Sequence, residues 1–360
     1  MEDVIVKKNI KNKTNIIIKI ILYVVLVFLI ILYLSHVFLP NGTLKYNNQR
    51  NTDVYVVGAS GVQTGIIPME IYDQIGVTVE NISSGEVQLP MDYYLIKQNI
   101  SKNKPKIIFL DGETFYATEM QSRELMHNTI DKYPLNFNKL EFVNEKAYKM
   151  NFNEKITYLF PFFRFHDRWK DIKLNNFKYQ IYGYNNYNHG FLLQTNIIEK
   201  KYLNKDYMSK ADNENEMKDL YTANYSEIYL KKIKELCEKE DIDLVLLVLP
   251  RQNWSMVKHN ILQKIADENN LRLIDMNLLF NELNFNQEND LMNDNHVNLN
   301  GAIKASNYLA SFIAENYEMK NHKNDLKYDN WNKDLEKYNK EKIQWLNEYN
   351  KKLLENSKEV

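Results

Sequence analysis

Cysteine is almost absent from this chain of 360 residues. Its single Cys237 cannot form an internal disulfide, which excludes a small domain stabilised by a disulfide framework. A charge excess is also missing, because 46 lysines and arginines face 47 aspartates and glutamates, so nothing points to a nucleic-acid partner or an anionic surface. The fold must therefore depend on a hydrophobic core, for which 25 tyrosines, 16 phenylalanines and 4 tryptophans supply large apolar groups.

Sequence motifs for cofactors are lacking as well. The chain has no Gly-x-x-x-x-Gly-Lys loop, which is the signature of a nucleotide phosphate site. No group of His, Cys, Asp and Glu has the spacing of metal ligands. The sequence therefore predicts neither a bound cofactor nor a metal ion.

A long apolar run lies near the N-terminus. Residues 20–34 contain no charged side chain, and the apolar character continues to Leu39. Twenty helical residues at about 1.5 Å each span the roughly 30 Å of a hydrocarbon layer. A buried helix of a soluble protein would show a polar stripe, and this run shows none. We therefore predict a transmembrane anchor over residues 15–39.

The charges that flank the run predict its direction. Five lysines precede it, whereas only Lys45 and Arg50 follow it closely. The positive-inside rule then places residues 1–14 in the cytoplasm and the rest of this single-pass cell-membrane protein outside. A cleavable signal peptide is the alternative, with an apolar region of about 7–15 residues that ends in a small-x-small site. This run is longer and ends in Val37-Phe38-Leu39-Pro40, which favours a retained anchor.

Strand-like and helix-like patterns alternate after a short polar tether at residues 40–52. This alternation predicts an α/β domain over residues 53–318, with a parallel sheet flanked by helices. Residues 113–221 are aromatic-rich and irregular, and we interpret them as an insertion that covers the functional edge of the sheet. Residues 319–360 are polar with a weak apolar stripe, which favours a surface helix over a docking helix for a membrane partner. We expect strands at residues 54–57, 77–82, 106–110, 244–249 and 271–274, and helices at 66–75, 91–100, 226–239, 257–269 and 301–317.

Two segments with catalytic residue types fall at the carboxyl ends of the predicted strands, where open parallel sheets bind their ligands. Gly58-Ala59-Ser60-Gly61 follows the first strand, and its small residues permit a tight turn. Asp294-Asn295-His296 precedes the last helix of the sheet domain. A serine hydroxyl needs a base such as imidazole, and the imidazole needs a carboxylate that orients it. Together the two segments predict a Ser-His-Asp triad.

Each segment alone has a structural alternative. The glycine-rich string also fits a plain turn between a strand and a helix. The histidine segment also fits a helix start, with Asn298 or Asn300 as the N-cap and His296 as a solvated loop residue. The combination of both segments at one sheet edge favours the catalytic interpretation.

These motifs resemble those of the SGNH (GDSL-like) superfamily of esterases and acyltransferases, over most of residues 50–315. The closer resemblance is to membrane-anchored members that partner a membrane-bound O-acyltransferase, namely the D-alanyl-lipoteichoic acid protein of the Dlt system and the alginate-type O-acetyltransferases. The resemblance implies a flavodoxin-like sheet of the SGNH type. It is carried by Gly58-Ala59-Ser60-Gly61, Asn81-Ile82-Ser83-Ser84-Gly85, Phe163-Arg164-Phe165-His166-Asp167-Arg168-Trp169, Leu247-Val248-Leu249-Pro250, and Asp294-x-His296-x-Asn298 with Gly301.

The resemblance also implies residue roles. Ser60 would be the nucleophile, His296 the base and Asp294 its orienting carboxylate, although the commoner Asp-x-x-His spacing falls on Asn293. The backbone amides of Ser60 and Gly85 would stabilise the oxyanion. The asparagine of the family's third block is replaced by Asp111-Gly112-Glu113-Thr114, which leaves the Thr114 hydroxyl as the expected third donor.

The predicted insertion carries two further candidates. Arg164 and His166 would bind substrate if the insertion brings them over the site, because arginine grips acyl or sugar oxygens well. The structural alternative is that Arg168 and Trp169 lock the insertion onto the sheet through charged-aromatic contacts.

The function that the resemblance implies is O-acyl transfer, most simply O-acetylation, onto an extracellular polysaccharide such as cellulose or another exopolysaccharide. A membrane-bound O-acyltransferase would supply the acyl group, and an acyl-serine would be the intermediate. Two alternatives remain open at this point. One is a carbohydrate acetylesterase with the same residues, and the other is a non-catalytic assembly factor in D-alanylation of teichoic acid.

Overall fold

The structure, a computed structural model, describes residues 2–39, 51–116, 121–174, 176–177, 187–203, 208 and 225–356. The chain divides into two compact units. One unit comprises Met1–Asn47 and His127–Tyr184, and the other comprises Asn48–Met126 and Asn185–Val360. Most of the predicted tether, residues 40–50, lies outside the described residues.

The described elements alternate as the sequence predicts. Short 3₁₀ helices accompany them at Gly112–Phe115, Lys146–Tyr148, His166–Lys170, Lys200–Tyr202, Met276–Leu278 and Leu326–Tyr328. In chain order the helices and strands are α1 (Glu2–Val37), β1 (Val54–Gly58), α2 (Ser60–Gly65), α3 (Pro68–Ile75), β2 (Val79–Ser83), α4 (Leu89–Ile100), β3 (Ile107–Asp111), α5 (Arg123–Ile130), α6 (Phe137–Asn144), α7 (Phe152–Leu159), α8 (Phe162–Phe165), α9 (Tyr225–Lys239), β4 (Asp243–Val248), α10 (Met256–Asn269), β5 (Arg272–Asp275), α11 (Gln287–Asp290), α12 (Leu299–Asn316) and α13 (Asp329–Asn356).

The second unit is built on a five-stranded sheet in the order β2-β1-β3-β4-β5, with every pair parallel. The registers pair Val54 with Val79 and Ile107, and Ile107 with Asp243. All five residues of β1 and of β3 are buried, as expected where helices cover both faces of a parallel sheet. The predicted α/β class and parallel sheet are confirmed, and the strand order is that of flavodoxin-like sheets.

The helix predicted at residues 66–75 begins two residues later in the structure, and a separate short helix precedes it. The predicted helix is α3, which begins at Pro68, whereas α2 ends at Gly65, before the predicted range. Proline has no amide hydrogen and disfavours helical geometry in the residue before it. Ile67 is accordingly extended, with φ −106° and ψ 101°. The break leaves α2 as a short helix of six residues that begins at Ser60.

The polar tail forms the long helix α13, which packs on the sheet unit. Trp331, Tyr338 and Tyr349 are buried, and the Tyr338 hydroxyl donates to the Glu70 carboxylate on α3. Fully burying such aromatic side chains typically contributes about 2–3 kcal/mol each. The tail therefore forms a helix, as expected, and the apolar side of that helix is part of the hydrophobic core.

A buried histidine, His189, contacts both this C-terminal helix and the edge strand β2. The ring of His189 stacks on Trp331 at 3.8 Å, with Nδ1 3.0 Å from Glu80 Oε1 and Nε2 3.3 Å from Asp334 Oδ2. Burial alone would lower the pKa of His189, but the two carboxylates outweigh it and the pKa is raised. The protonated form of His189 is therefore favoured by its contacts with Glu80 on β2 and Asp334 on α13.

The other unit contains α1 and the middle of the predicted insertion. Within α1, Lys13–Val37 is long and apolar enough to cross a membrane, which fits the predicted anchor. Residues 127–184 belong to the same unit as this helix, whereas residues 187–203 belong to the sheet unit. There the Leu192 amide donates to the Gln63 carbonyl at 2.8 Å. The predicted insertion is therefore divided between the two units.

Candidate active site

The candidate site lies at the carboxyl edge of the sheet, beside the point where the strand order reverses between β1 and β3. Ser60 follows β1, and Asp111 ends β3. Arg251 follows β4 by three residues. Because these strands are parallel, all three chain segments emerge at one edge, which is where open α/β sheets bind ligands.

The turn that carries Ser60 needs two glycines. A Cβ on Gly58 would overlap the Asp111 side chain, and a Cβ on Gly61 would overlap the Arg251 guanidinium at Nη2. The Ala59 amide between them donates to Asp111 Oδ2 at 3.3 Å. These close approaches fix the turn against the ends of β3 and β4, so that the half-buried Ser60 begins α2 with its hydroxyl at the edge of the sheet.

Ser60, His296 and Asn293 form a hydrogen-bonded chain. The Ser60 Oγ lies 2.8 Å from His296 Nε2, and His296 Nδ1 lies 3.0 Å from Asn293 Oδ1. The amide oxygen of Asn293 can only accept, so Nδ1 must carry the ring proton. Nε2 is then the unprotonated nitrogen and accepts from the Ser60 hydroxyl. This is the tautomer that a general base for serine requires.

Backbone and side-chain hydrogen bonds fix the conformation of the loop that contains His296. Leu291 and Val297 form an antiparallel bridge that closes it, and the Asn293 side chain accepts from the amides of residues 295 and 296 at 2.9 and 3.0 Å. The backbone carbonyl of Asp294 accepts from the Gln252 amide at 2.7 Å, which joins this loop to the segment after β4. His296 is thus positioned by backbone geometry as well as by its own ring contacts.

The helix-capping alternative is also realised, next to the candidate triad. Asn298 is the N-cap of α12, and its side chain accepts from the amides of Asn300 and Gly301 at 3.0 and 3.2 Å. A capped helix start therefore follows His296 directly, while His296 itself turns away to Ser60.

Asp294, expected as the orienting carboxylate, does not occupy that position. Its side chain is exposed, and the atom on His296 Nδ1 is Asn293 Oδ1. The physical reason is local: the Asn293 oxygen also caps the two amides that follow it, a turn that aims this side chain at the ring. The third member of the set is therefore a neutral amide, at the position of the commoner Asp-x-x-His spacing.

The pKa of His296 is lowered to about 4, first because burial penalises the charged ring and then because the Arg251 guanidinium is close. An ordinary histidine titrates near 6.5. His296 is therefore neutral at physiological pH and available as a base. The imidazolium that would form after it takes a proton has no carboxylate on Nδ1 and faces a neighbouring cation.

Arg251 is the residue that the sequence did not single out. Its side chain is 2% exposed, and its guanidinium forms an ion pair with Glu113 through Nη1. The Nε atom has no hydrogen-bond acceptor among the residues that the structure describes. Burial lowers the pKa of Arg251, while Asp111 and Asp275 raise it. The sequence did contain one signal for Arg251: it lies shortly after the end of a predicted strand, at the edge of the sheet where ligands bind.

The carboxyl of Asp111 lies beneath this cluster. It accepts from the amides of Ala59 and Glu113, at 3.3 and 3.0 Å. Burial raises its pKa to about 6, although Arg251 and the Ala59 amide act in the opposite direction. Asp111 therefore joins the serine turn to the end of β3 through its side-chain hydrogen bond to the Ala59 amide.

The expected oxyanion donors differ in their placement. The Ser84 amide donates to the Gly58 carbonyl at 3.3 Å, so the turn that contains Gly85 lies beside the end of β1. Thr114 is buried, and its hydroxyl donates to the Asp111 carbonyl at 2.8 Å. Because that proton is already used inside the loop, the expectation of Thr114 as a third donor is not supported.

Arg164 and His166 belong to the unit that contains α1, whereas the Ser60 site belongs to the sheet unit. Arg164 lies 3.7 Å from the Asp131 carboxylate and packs on the Phe165 ring, and His166 Nδ1 is 2.9 Å from the Phe163 carbonyl. Their observed contacts are therefore local contacts within their own unit.

The described residues contain no group of three or more His, Cys, Asp and Glu that could hold a metal ion. No protein-family model and no curated protein matches the chain. The site is therefore defined by its own geometry: a serine hydroxyl on a neutral imidazole, an asparagine on the far ring nitrogen, and a buried arginine beside both.

Proposed function

We propose that this chain is a serine acyltransferase, most simply an O-acetyltransferase that acts on an extracellular polysaccharide. The observation that carries the proposal is the 2.8 Å hydrogen bond between Ser60 Oγ and His296 Nε2. The hydrogen bond between His296 Nδ1 and Asn293 Oδ1 fixes the tautomer of the ring in the form that this role requires. The position of the site at the carboxyl edge of a parallel sheet supports it. So does the N-terminal helix, which fits attachment to a membrane where acyl groups are exported.

The reaction that these residues can perform has two halves. In the first, Ser60 Oγ bonds to the acyl carbon of a donor ester while His296 Nε2 takes the hydroxyl proton, and the donor oxygen leaves with that proton. In the second, a sugar hydroxyl gives its proton to Nε2 and bonds to the same carbon, and Ser60 Oγ leaves and is protonated again. The backbone amides of Ser60 and Gly85 are the proposed oxyanion donors, each worth roughly 3–4 kcal/mol in comparable sites.

The partners follow from this chemistry. A membrane-bound O-acyltransferase would deliver the acyl group across the membrane, and an exported polymer such as cellulose or another exopolysaccharide would accept it. The Ser60 acyl ester would be the intermediate between them. If water replaces the sugar hydroxyl, the same residues give an acetylesterase.

One observation favours a second candidate function, a non-catalytic assembly factor for teichoic acid D-alanylation. Asn293 is neutral, so the imidazolium formed during catalysis lacks the carboxylate that normally stabilises it. A protein that uses the fold only for binding has no need of that charge.

The two functions are separated by an acetyl-transfer assay on the full chain in detergent or lipid. An activated acetyl ester is supplied with soluble oligosaccharides, and acetylated sugar and free acetate are measured for wild type and Ser60→Ala. Sugar acetylation that is lost in the variant is expected. Acetate alone would identify the esterase, and unchanged background in both proteins would leave the assembly factor.

A further inference from the structure

An aromatic segment, defined here as residues 160–174, packs on the C-terminal third of α1. The Phe160 ring meets Phe28 edge-on at 5.9 Å, and the Phe162 ring meets Phe38 at 5.2 Å. The Phe162 amide also donates to Ser35 Oγ at 3.3 Å. All of these residues belong to the same compact unit as α1.

These contacts reach far along the helix. Phe28 precedes Val37, the last residue of α1, by nine positions, which corresponds to about 14 Å of helix. Half of a hydrocarbon layer is about 15 Å thick. If α1 crosses a bilayer and leaves it near Val37, Phe160 lies at a depth where acyl chains surround the helix.

Three large apolar side chains of the aromatic segment are exposed, and exposed charged residues such as Asp167 and Asp171 lie between them in the chain. Phe163 is 44% exposed, Trp169 64% and Leu174 74%. The apolar residues of α1 from Ile16 to Ile30 are mostly exposed as well. Exposed aromatic and apolar groups interspersed with charged ones are typical of a segment that lies in the interfacial zone of a membrane.

Polar groups in the aromatic segment are arranged as at a membrane surface. Lys170 Nζ lies 5.3 Å from the centre of the Trp169 ring. Tryptophan is enriched at membrane interfaces, and a neighbouring lysine can extend its charged end to the lipid headgroups. Arg168 Nη1 donates to the Phe38 carbonyl at 2.6 Å, and Asn176, two residues beyond the segment, donates through Nδ2 to the Val37 carbonyl at 3.4 Å. These bonds satisfy carbonyls at the end of α1, which are costly to leave unpaired where water is scarce.

We propose that the aromatic segment inserts into the lipid leaflet at the C-terminal end of α1, as a second membrane contact beside the anchor. Phe160 and Phe162 cover α1, while Phe163, Trp169 and Leu174 face lipid. The chosen occupant is lipid because the segment packs directly on a helix which would itself be surrounded by acyl chains. This inference goes beyond the proposed enzymatic function and rests only on α1 crossing the bilayer.

Tryptophan quenching by brominated lipids tests the proposal on the full chain in lipid nanodiscs. Bromines are placed near the headgroup end or the methyl end of the acyl chains, and iodide serves as the aqueous quencher. The difference between wild type and Trp169→Phe isolates the Trp169 emission from that of the other three tryptophans. We expect loss of most Trp169 emission with the bromines near the headgroups, and little effect of iodide.

A Leu22→Trp substitution in the Trp169→Phe protein is the matched control, because Leu22 is exposed in the middle of α1. Quenching at position 22 without quenching at Trp169 would overturn the proposal, and quenching at neither position would overturn the anchor itself. Iodide access to Trp169 in nanodiscs, with shielding only in native membranes, would overturn lipid in favour of a protein partner. None of these readouts depends on acyl transfer, so they are independent of the proposed function.

Discussion

Replacing Asn293 by aspartate would give His296 the carboxylate that it lacks. Asn293 Oδ1 lies 3.0 Å from Nδ1, so Asn293→Asp places a negative charge in contact with the ring without a change in side-chain length. An opposite charge at this range raises a histidine pKa by roughly 1–3 units. Because residue 293 is exposed, solvent screening favours the lower end, about one unit above the present value of about 4.

The sign of the effect on catalysis follows from this shift. One pKa unit is about 1.4 kcal/mol in favour of the imidazolium, which is the form of His296 in the transition state. The ring stays mostly neutral at pH 7, so the base becomes stronger without being lost. Acylation of Ser60 should accelerate up to about tenfold.

The assay is the rate of Ser60 acylation by an activated acetyl ester between pH 4 and 9, together with an NMR titration of His296. Asp294→Asn is the matched control, because it changes the exposed neighbouring carboxylate and should leave both the rate and the pKa unchanged. A slower Asn293→Asp protein, or an Asp294→Asn protein that loses activity, would refute the assignment of residue 293 and restore Asp294 as the orienting group.

Three further outcomes follow from the geometry. Arg251→Met should raise the pKa of His296 above about 4, because it removes a neighbouring positive charge. The acid limb of the pH–rate profile, where protonation of His296 abolishes activity, should then move to higher pH. An acid limb that does not move would contradict the electrostatic role of Arg251. Gly61→Ala should destabilise the fold by about 1–3 kcal/mol in thermal unfolding, because its Cβ would overlap Arg251. Gly85→Ala is the control and should not destabilise the fold, because its Cβ would meet only Leu125 at 3.7 Å. His189 has a raised pKa, so its stabilising charge is fully present below about pH 6.5 and is lost as the pH rises through its folded value. Urea unfolding should therefore show His189→Gln to be destabilising at pH 6 and progressively less so as the pH is raised, and a loss that stays the same at every pH would contradict this.

The parallel sheet was predictable because its signals are local. Apolar runs such as residues 54–57 and 107–110 predict buried strands from their composition, and the length and composition of the apolar run in α1 predict a membrane-crossing helix. The convergence of Ser60 and His296 followed from the rule that parallel strands share a carboxyl edge.

The remaining features depend on geometry that the sequence pattern does not encode. Whether Asn293 or Asp294 turns toward the imidazole is decided by the bridge and turn that close the loop, not by spacing. Arg251 meets Gly61 across nearly 200 residues of chain, and its importance appears only when β1 and β4 lie in one sheet. The packing of Phe160 on Phe28 is likewise a long-range contact, which local periodicity cannot show.

The central claim is that Ser60 is a covalent nucleophile activated by His296. Intact-mass analysis of the full chain after exposure to an activated acetyl ester tests it most directly, with Ser60→Ala as the test variant and Ser101→Ala, at the exposed end of α4, as the control. The account predicts a gain of one acetyl group in the wild type and in Ser101→Ala, and no gain in Ser60→Ala. The same gain in Ser60→Ala, or none in the wild type, would contradict it.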